Sequence, residues 1–199
     1  MKPKFEPNAE YQPKDFSFKN KKKVDEILAR YPSNQARSAI MPLLDLAQRQ
    51  VGEEGAKAKT PYGGWIPRAA MDEIADVVGQ PPIKVYEVAT FYSMYNLAPV
   101  GKYLVQCCTT TPCWLRGSAD IVKACEKELG AHLGETTEDG LFTAIEVECL
   151  GACVNAPMMQ INQDYFEDLD ENKTEMIIHT LLEDKLPIPG SAKNRKNTA

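Results

Sequence analysis

Hydrophobic residues recur at helical spacing through the first half of the chain. A short stripe predicts a helix over residues 21–31, which Pro32 stops: Val24, Ile27 and Leu28. A longer stripe predicts a second helix, which Ser33 or Asn34 caps and Gly52 ends: Ala36, Ile40, Leu43, Leu44, Ala47 and Val51. Two more helices follow Pro67 and Pro82, with apolar positions at Met71, Ile74, Ala75 and Val78, and at Val85, Val88, Phe91 and Tyr92.

The pattern changes after Pro99 and Gly101, where alternation of apolar and polar positions becomes typical of strands. The predicted order is strand, helix, strand, strand, strand, helix, over residues 102–108, 113–129, 142–148, 158–161, 165–167 and 174–182. The chain is therefore predicted to be α+β. Four parts are expected: an extended arm (1–20), a helical bundle (21–98), a mixed domain (99–186) and a basic, proline-containing tail (187–199).

Composition excludes several classes of protein. With 43% hydrophobic and 26% charged residues the chain is typical of soluble globular proteins. It has no apolar run of membrane-spanning length and no signal-peptide core after Met1, so we expect no direct membrane insertion and a reducing compartment. The net charge of −5 disfavours nucleic-acid binding. A helix-turn-helix-like segment around residues 79–82 is followed by a helix whose only basic side chain is Lys84. This indicates that the helix packs within the protein and does not bind DNA.

Four of the six cysteines form two pairs in turn-rich segments, Cys108–Cys113 and Cys149–Cys153. Each pair follows a predicted strand, which would hold the thiols rigidly while the loop exposes backbone N–H groups. In the first loop Thr109 to Thr111 could supply such donors, and in the second Gly151 permits close approach of the backbone. Thiolates are soft ligands, and four of them complete the coordination of two sulfide-bridged irons. This arrangement indicates electron transfer.

Two further cysteines are assigned to packing. Cys107 and Cys108 are neighbours on one strand, so their side chains point to opposite faces and only one can readily join Cys113. Alternation places Cys107 on the apolar face, and Cys125 lies on the apolar stripe of its helix with Leu115, Ser118, Val122 and Leu129.

Spacing alone leaves other sulfur chemistry open. Structural zinc sites use pairs with two to four intervening residues, so a zinc-stabilised interaction module remains an alternative. A redox disulfide is another, although a thiol–disulfide oxidoreductase needs a C-x-x-C arrangement that this chain lacks. A secreted disulfide framework is disfavoured because the chain is long enough to build a core.

Other constellations are weak. His132 and His179 have no metal-ligand partner at helical or loop spacing, so surface positions are expected for both. The run 168–179 begins like a calcium loop but has Lys173 at the glycine position. The acidic run 164–175 is most simply a solvated face, and no Ser-His-Asp set or carboxylate pair suggests hydrolysis.

Three segments together resemble the thioredoxin-like [2Fe–2S] ferredoxin family, to which the flavoprotein-fragment subunits of respiratory complex I belong. They are Ala-Thr-Phe-Tyr-Ser-Met-Tyr (89–95), Cys-Thr-Thr-Thr-Pro-Cys-Trp-Leu-Arg-Gly (108–117) and Glu-Cys-Leu-Gly-Ala-Cys-Val-Asn-Ala-Pro (148–157). The resemblance covers about residues 20–185. It implies a helical bundle followed by a thioredoxin-like [2Fe–2S] domain, with Pro157 as the cis-proline of such folds.

The resemblance also implies a site and a setting. Its ligands would be Cys108, Cys113, Cys149 and Cys153, holding one [2Fe–2S] cluster that exchanges single electrons with FMN. FMN and NADH would be bound by a partner, the NADH-binding flavoprotein subunit, with the large iron–sulfur subunit of complex I as a further neighbour. The chain would have no catalytic site of its own and would lie on the cytoplasmic side of a bacterial inner membrane, or the matrix side if organellar. Related subunits of NAD-linked hydrogenases and formate dehydrogenases are the alternatives.

Overall fold

The computed structural model describes residues 5–195. The chain divides between Lys102 and Tyr103 into two compact units, and each unit has a hydrophobic core of its own. The boundaries expected at residues 20, 98 and 186 stay predictions. Within residues 5–195, no helix combines the length and the apolar character needed to cross a lipid bilayer.

The first unit is helical. Its helices α1 to α4 cover Lys21–Leu28, Ile40–Gly55, Arg68–Val78 and Pro82–Phe91, and a 3-10 helix covers Ser33–Ala39. The predicted cap of α2 is wrong, because Gln35 has non-helical backbone angles and the regular helix begins only after the 3-10 turn. The predicted end at Gly52 is also wrong. That glycine instead lets another backbone approach, since a Cβ there would lie 3.0 Å from the Cα of Gly64.

The core of the first unit lies among α1 to α4 and contains the predicted stripes of α2 and α3 almost unchanged. The described part of the arm, residues 5–20, packs against this core through buried Phe18, and Gln12 accepts a hydrogen bond from the amide of Arg68. Residues 1–4 lie outside the described residues. On α4 the buried positions are Val85 and Ala89, whereas Phe91 is 79% exposed. The expectation that Phe91 packs inward is therefore wrong.

The second unit is an α+β fold with a five-stranded sheet. Its strands β1 to β5 cover Tyr103–Cys108, Phe142–Val147, Met158–Ile161, Asp164–Glu167 and Gly190–Ser191. Its helices α5 to α7 cover Thr111–Leu115, Ser118–Leu129 and Glu171–Leu182. A 3-10 helix covers Cys153–Asn155. The strand order is β2-β1-β3-β4-β5. β1 runs parallel to β2 and antiparallel to β3. The predicted element order is confirmed, with the short β5 added.

One predicted helix is two helices in the structure. Gly117 adopts φ +94 as the N-cap of α6, and the helix is interrupted between Leu115 and Ser118. As a result Leu115 is 70% exposed, and its predicted place on the buried stripe is wrong. Ser118 and Cys125 are buried as predicted, together with Ile121 and Ala124.

The acidic run is only partly a solvated face. Glu167 and Asp168 are buried, and hydrogen bonds compensate their carboxylates for the loss of water. Glu167 accepts one from the Asn155 amide, and Asp168 accepts one from the Ser191 hydroxyl. The guanidinium of Arg195 also lies 3.1 Å from Asp168. The tail also contributes strand β5, which pairs with β4 at the edge of the sheet. Its last residues, 196–199, lie outside the described residues.

Candidate metal centre

Strand direction brings both cysteine segments to one edge of the sheet. The carboxyl ends of parallel β1 and β2 meet there, and antiparallel β3 begins there. Cys108 is the last residue of β1, Cys149 follows the end of β2, and Cys153 opens the 3-10 helix that leads into β3. The amide of Thr109 donates to the carbonyl of Val147, 3.3 Å away, and extends this pairing. That amide is thus used in the sheet, and the expectation that it faces the site is wrong.

The four predicted cysteines form two close pairs. Cys108 and Cys113 are buried and share a hydrogen bond. The sulfurs of Cys149 and Cys153 lie 3.3 Å apart on the exposed side. Cys153 interacts electrostatically with both Cys108 and Cys113, so the two pairs lie near each other at this edge of the sheet.

Backbone amides tune the thiols of the site. Burial, together with the hydrogen bond to Cys108, raises the pKa of Cys113 to about 12, although the N–H of Met158 donates to its sulfur and opposes the rise. The N–H of Gly151, followed by the hydrogen bond with Cys153, lowers the pKa of Cys149 below its usual value. The hydrogen bond with Cys149 raises the pKa of Cys153. N–H···S contacts of the kind that stabilise charged sulfur are therefore present in both pairs.

Side chains that the sequence did not single out hold the two loops. The hydroxyl of Thr110 donates to the carboxylate of Glu148 at 3.2 Å and joins one loop to the other. The hydroxyl of Tyr165 on β4 donates to the carbonyl of Leu150 at 2.7 Å. No periodicity or motif signals these contacts, because they depend on which loops meet at the sheet edge. The Ala156–Pro157 peptide between the second loop and β3 is cis, as predicted.

The remaining two cysteines lie elsewhere. Cys107 points to the opposite face of β1, into the apolar core that also contains Cys125. Their sulfurs lie 3.8 Å apart. The side chain of Cys108, by contrast, packs with Cys113 near Ala156 and Met158. The structure thus separates the neighbouring thiols as alternation predicts, and supports Cys108 as the member that faces the site.

The donor set is chemically suited to a two-iron cluster. Such a cluster needs four thiolates, and the two pairs at this sheet edge, Cys108 with Cys113 and Cys149 with Cys153, supply four thiols. Across residues 5–195, no group of three or more Cys, His, Asp or Glu side chains is arranged to hold one metal ion.

Comparison with known families agrees with this chemistry. The model of the thioredoxin-like [2Fe–2S] ferredoxins matches residues 24–182. The chain belongs to that family. The matched segment includes all four candidate ligands and the whole sheet except β5.

Relatives of known role are similar over nearly the whole chain. A subunit of the NADH-quinone oxidoreductase of Rickettsia conorii is 56% identical over 169 residues, which cover 85% of this chain and 95% of the relative. Mitochondrial NADH dehydrogenase [ubiquinone] flavoprotein 2 of Dictyostelium discoideum is 49% identical over 191 residues, 96% of this chain and 73% of the relative. These relatives are subunits of multisubunit oxidoreductases.

Among solved structures, an NAD+-reducing [NiFe]-hydrogenase in the H2-reduced state is similar with a TM-score of 0.55. The match is 18% identical and covers 71% of this chain, which spans only 23% of the hydrogenase chain. At this identity the likeness shows the fold alone.

Proposed function

We propose that this chain is the electron-transfer subunit of an NADH-quinone oxidoreductase (complex I). One [2Fe–2S] cluster, held by Cys108, Cys113, Cys149 and Cys153, would exchange single electrons with the FMN of a partner NADH-binding flavoprotein subunit. The observation that carries the proposal is the meeting of two close cysteine pairs at one sheet edge. Family membership and relatives at 49–56% identity support the same role.

The residues of the chain have defined tasks in this role. When bound, the cluster supplies a centre that is reduced and oxidised by one electron. The buried thiols of Cys108 and Cys113 hold one side of it away from water, and the amides of Gly151 and Met158 donate to ligand sulfurs. The chain needs no acid–base residue, because the hydride chemistry of NADH belongs to the flavin.

Exposed apolar side chains beside the ligands favour docking of a partner here. Trp114 follows Cys113 and is 64% exposed, Leu115 comes next, and Val154 follows Cys153 with 82% exposure. Large apolar side chains kept in water next to a functional site are typical of protein–protein interfaces. We assign this surface to the flavoprotein subunit, and we expect the large iron–sulfur subunit as a further neighbour. The complex would place the chain peripherally, on the cytoplasmic side of a bacterial membrane or the matrix side in an organelle.

Among parent complexes, complex I is favoured over the alternatives. The relatives of high identity carry its names, whereas the hydrogenase resembles this chain in fold at 18% identity. A subunit of an NAD-linked hydrogenase or formate dehydrogenase would use the same four ligands. Co-purification of the native protein distinguishes these complexes, since quinone reductase, hydrogenase and formate dehydrogenase subunits differ in mass and metal content.

A thiol–disulfide oxidoreductase is the second candidate, and one observation favours it. Cys149 is exposed, has a lowered pKa and lies 3.3 Å from Cys153. A reactive thiolate next to a second thiol is what disulfide reduction requires. In the cluster-loaded protein both sulfurs are ligands, so this activity would belong only to an iron-free form. We expect the loaded protein to leave a model disulfide unreduced.

Reconstitution with iron and sulfide tests the proposed function. The full chain should bind two irons and two sulfides and show a rhombic EPR signal on reduction. Alanine at each of the four ligands should abolish or greatly reduce that iron, whereas Cys107→Ala, the matched control one residue away, should retain it. A colourless protein with one zinc, or full iron after replacement of both Cys113 and Cys149, would refute the assignment.

A further inference from the structure

A second pair of sulfurs lies beneath the sheet. The sulfurs of Cys107 on β1 and Cys125 on α6 are 3.8 Å apart, and the residues are 1% and 0% exposed. Both elements belong to one hydrophobic core, in which Val105, Ile121 and Met159 are also buried. Because the two thiols are fixed on a strand and a helix that pack together, their proximity is a property of the core and not of a mobile loop.

This pair is independent of the proposed cluster site. Alternation along β1 sends Cys107 to the face opposite Cys108. If four of the six cysteines hold iron, Cys107 and Cys125 are the two thiols left free in the loaded protein. Their sulfur atoms lie next to each other, as an intramolecular disulfide requires.

We propose that Cys107 and Cys125 form a reversible disulfide in the cluster-loaded protein, with a small peroxide as the oxidant. One thiol is first oxidised to a sulfenic acid as the O–O bond breaks, and a molecule of water or alcohol leaves. The second sulfur then displaces the sulfenic oxygen as water, and the S–S bond forms. The two sulfurs together lose two electrons, which the peroxide accepts, and both thiol protons leave in the products. An external dithiol reverses the reaction by exchange.

Geometry and burial decide which oxidants can react. A disulfide requires sulfurs about 2 Å apart, so the two side chains must rotate toward each other without moving β1 or α6 far. Both side chains are almost fully buried, so the two thiols are expected to resist large or charged reagents. A molecule close to water in size can reach them during local opening.

The disulfide would act on the neighbouring ligand loop. A bond between residues 107 and 125 closes a ring that contains Cys108, α5 and Cys113. Closing a ring removes conformational freedom from the chain within it. The oxidised protein should therefore release its cluster to a chelator several-fold more slowly than the reduced protein does.

The test uses the full chain loaded with its cluster, under argon, with hydrogen peroxide added from substoichiometric to equimolar amounts. After acid quenching, alkylation and digestion, mass spectrometry should find a Cys107–Cys125 linked peptide two hydrogens lighter than the reduced pair. Dithiothreitol should restore both thiols, and the visible absorbance of the cluster should persist throughout. Chelator release is then measured on oxidised and re-reduced samples.

The controls are Cys125→Ala and Cys125→Ser, two replacements of different polarity that leave every proposed ligand in place. Both should remove the linked peptide and the difference in chelator release. Two results would overturn the inference: both thiols surviving equimolar peroxide, or cluster bleaching that precedes any Cys107–Cys125 linkage. Because the linkage is measured on the unaltered protein, its detection does not depend on the folding of the variants.

Discussion

The two cysteine pairs of the candidate site differ in their exposure to solvent. Cys108 and Cys113 are buried beside Ala156 and Met158, whereas Cys149 and Cys153 are exposed. Burial on one side would protect a bound cluster from water, and exposure on the other would shorten the path to a partner. The reduction potential should depend most on charges beside the exposed pair, because they lie closest to it and are only partly screened.

Glu148 is the carboxylate best placed to influence that potential. Glu148→Gln removes a negative charge next to Cys149 and keeps an oxygen that can accept the Thr110 hydroxyl. The midpoint potential should rise, because reduction adds negative charge to the cluster. Redox titration followed by EPR measures the shift, and it should shrink as salt is added. Glu183→Gln, on the C-terminal side of α7, is the control and should leave the potential unchanged; an equal shift in both would remove Glu148 from this role.

Gly151 has a conformational role in the second loop. Its φ is +89 and a Cβ there would meet nothing within 4 Å, so Gly151→Ala adds backbone strain without a clash. Strain of this kind costs about 1–2 kcal/mol. We expect faster loss of the cluster to a chelator, since the amide of this residue donates to Cys149.

Gly130→Ala is the matched control for that strain. Gly130 caps α6 with φ +61 and also has open space around its Cβ position. The Gly130→Ala substitution should lower the stability of the fold by a similar amount. It should leave the rate of cluster loss near that of the unaltered protein. Equal rates in the two variants would mean that Gly151 acts only through global stability.

At the scale of elements, helix ends and strand ends determine the second unit. The break at Gly117 separates α5 from α6, and Trp114 and Leu115 of α5 are exposed beside the candidate ligands. The N-terminus of α7 is capped by Asp170, whose carboxylate accepts a hydrogen bond from the amide of Lys173. That helix covers the core through Ile178 and Leu181.

Asp170→Ala should lower the free energy of unfolding by about 1 kcal/mol, the usual value of a lost N-cap. The amide of Lys173 lowers the pKa of Asp170 below its ordinary 3.8. A carboxyl with a lowered pKa stabilises the fold above the unfolded pKa, and its contribution is lost as pH falls through the folded value. Urea unfolding should therefore show a constant difference between variant and parent from pH 7 to about pH 5, and a shrinking one below pH 3.8. Asp170→Asn keeps an acceptor and should retain most of the neutral-pH stability.

At the scale of the whole molecule, the chain is two units with separate cores. All four candidate ligands, and the side chains that hold their loops, belong to the second unit. We expect a fragment of residues 103–199 to fold and bind two irons, with the same EPR signal as the full chain. A fragment of residues 1–102 should bind none. Loss of iron from the first fragment, with its circular dichroism intact, would contradict the assignment of the whole site to the second unit.

The exposed surface at Trp114 should contribute to assembly. Trp114→Ser removes a large apolar side chain that is mostly exposed and leaves every proposed ligand in place, so the iron content should stay unchanged. Binding to the flavoprotein subunit should weaken by about 2 kcal/mol, a typical cost at an interface hot spot. Calorimetry measures the affinity, and Met176→Ser, at an exposed position of α7, is the control that should leave it unaltered.

The sequence predicted most of the elements because periodicity reports local burial, and it predicted the stripes of α2 and α3 with few errors. It failed where a helix is interrupted and where burial depends on a distant segment. Phe91 and Leu115 are apolar yet exposed, whereas Asp168 is charged yet buried with Ser191 and Arg195 from the tail. The burial of Asp168 leaves no signal within its own element, because its partners come from the tail.

The same division holds for the candidate site. Residue type and spacing alone determined that two cysteine pairs follow strands and that Cys107 and Cys108 face opposite ways. Only the tertiary structure decided that the pairs meet, that Thr110 joins Glu148, and that Cys107 lies against Cys125. Alternation and turn propensity are properties of a few consecutive residues. Which strand ends meet is decided by strand direction and by the packing of helices, which couple residues far apart in the chain.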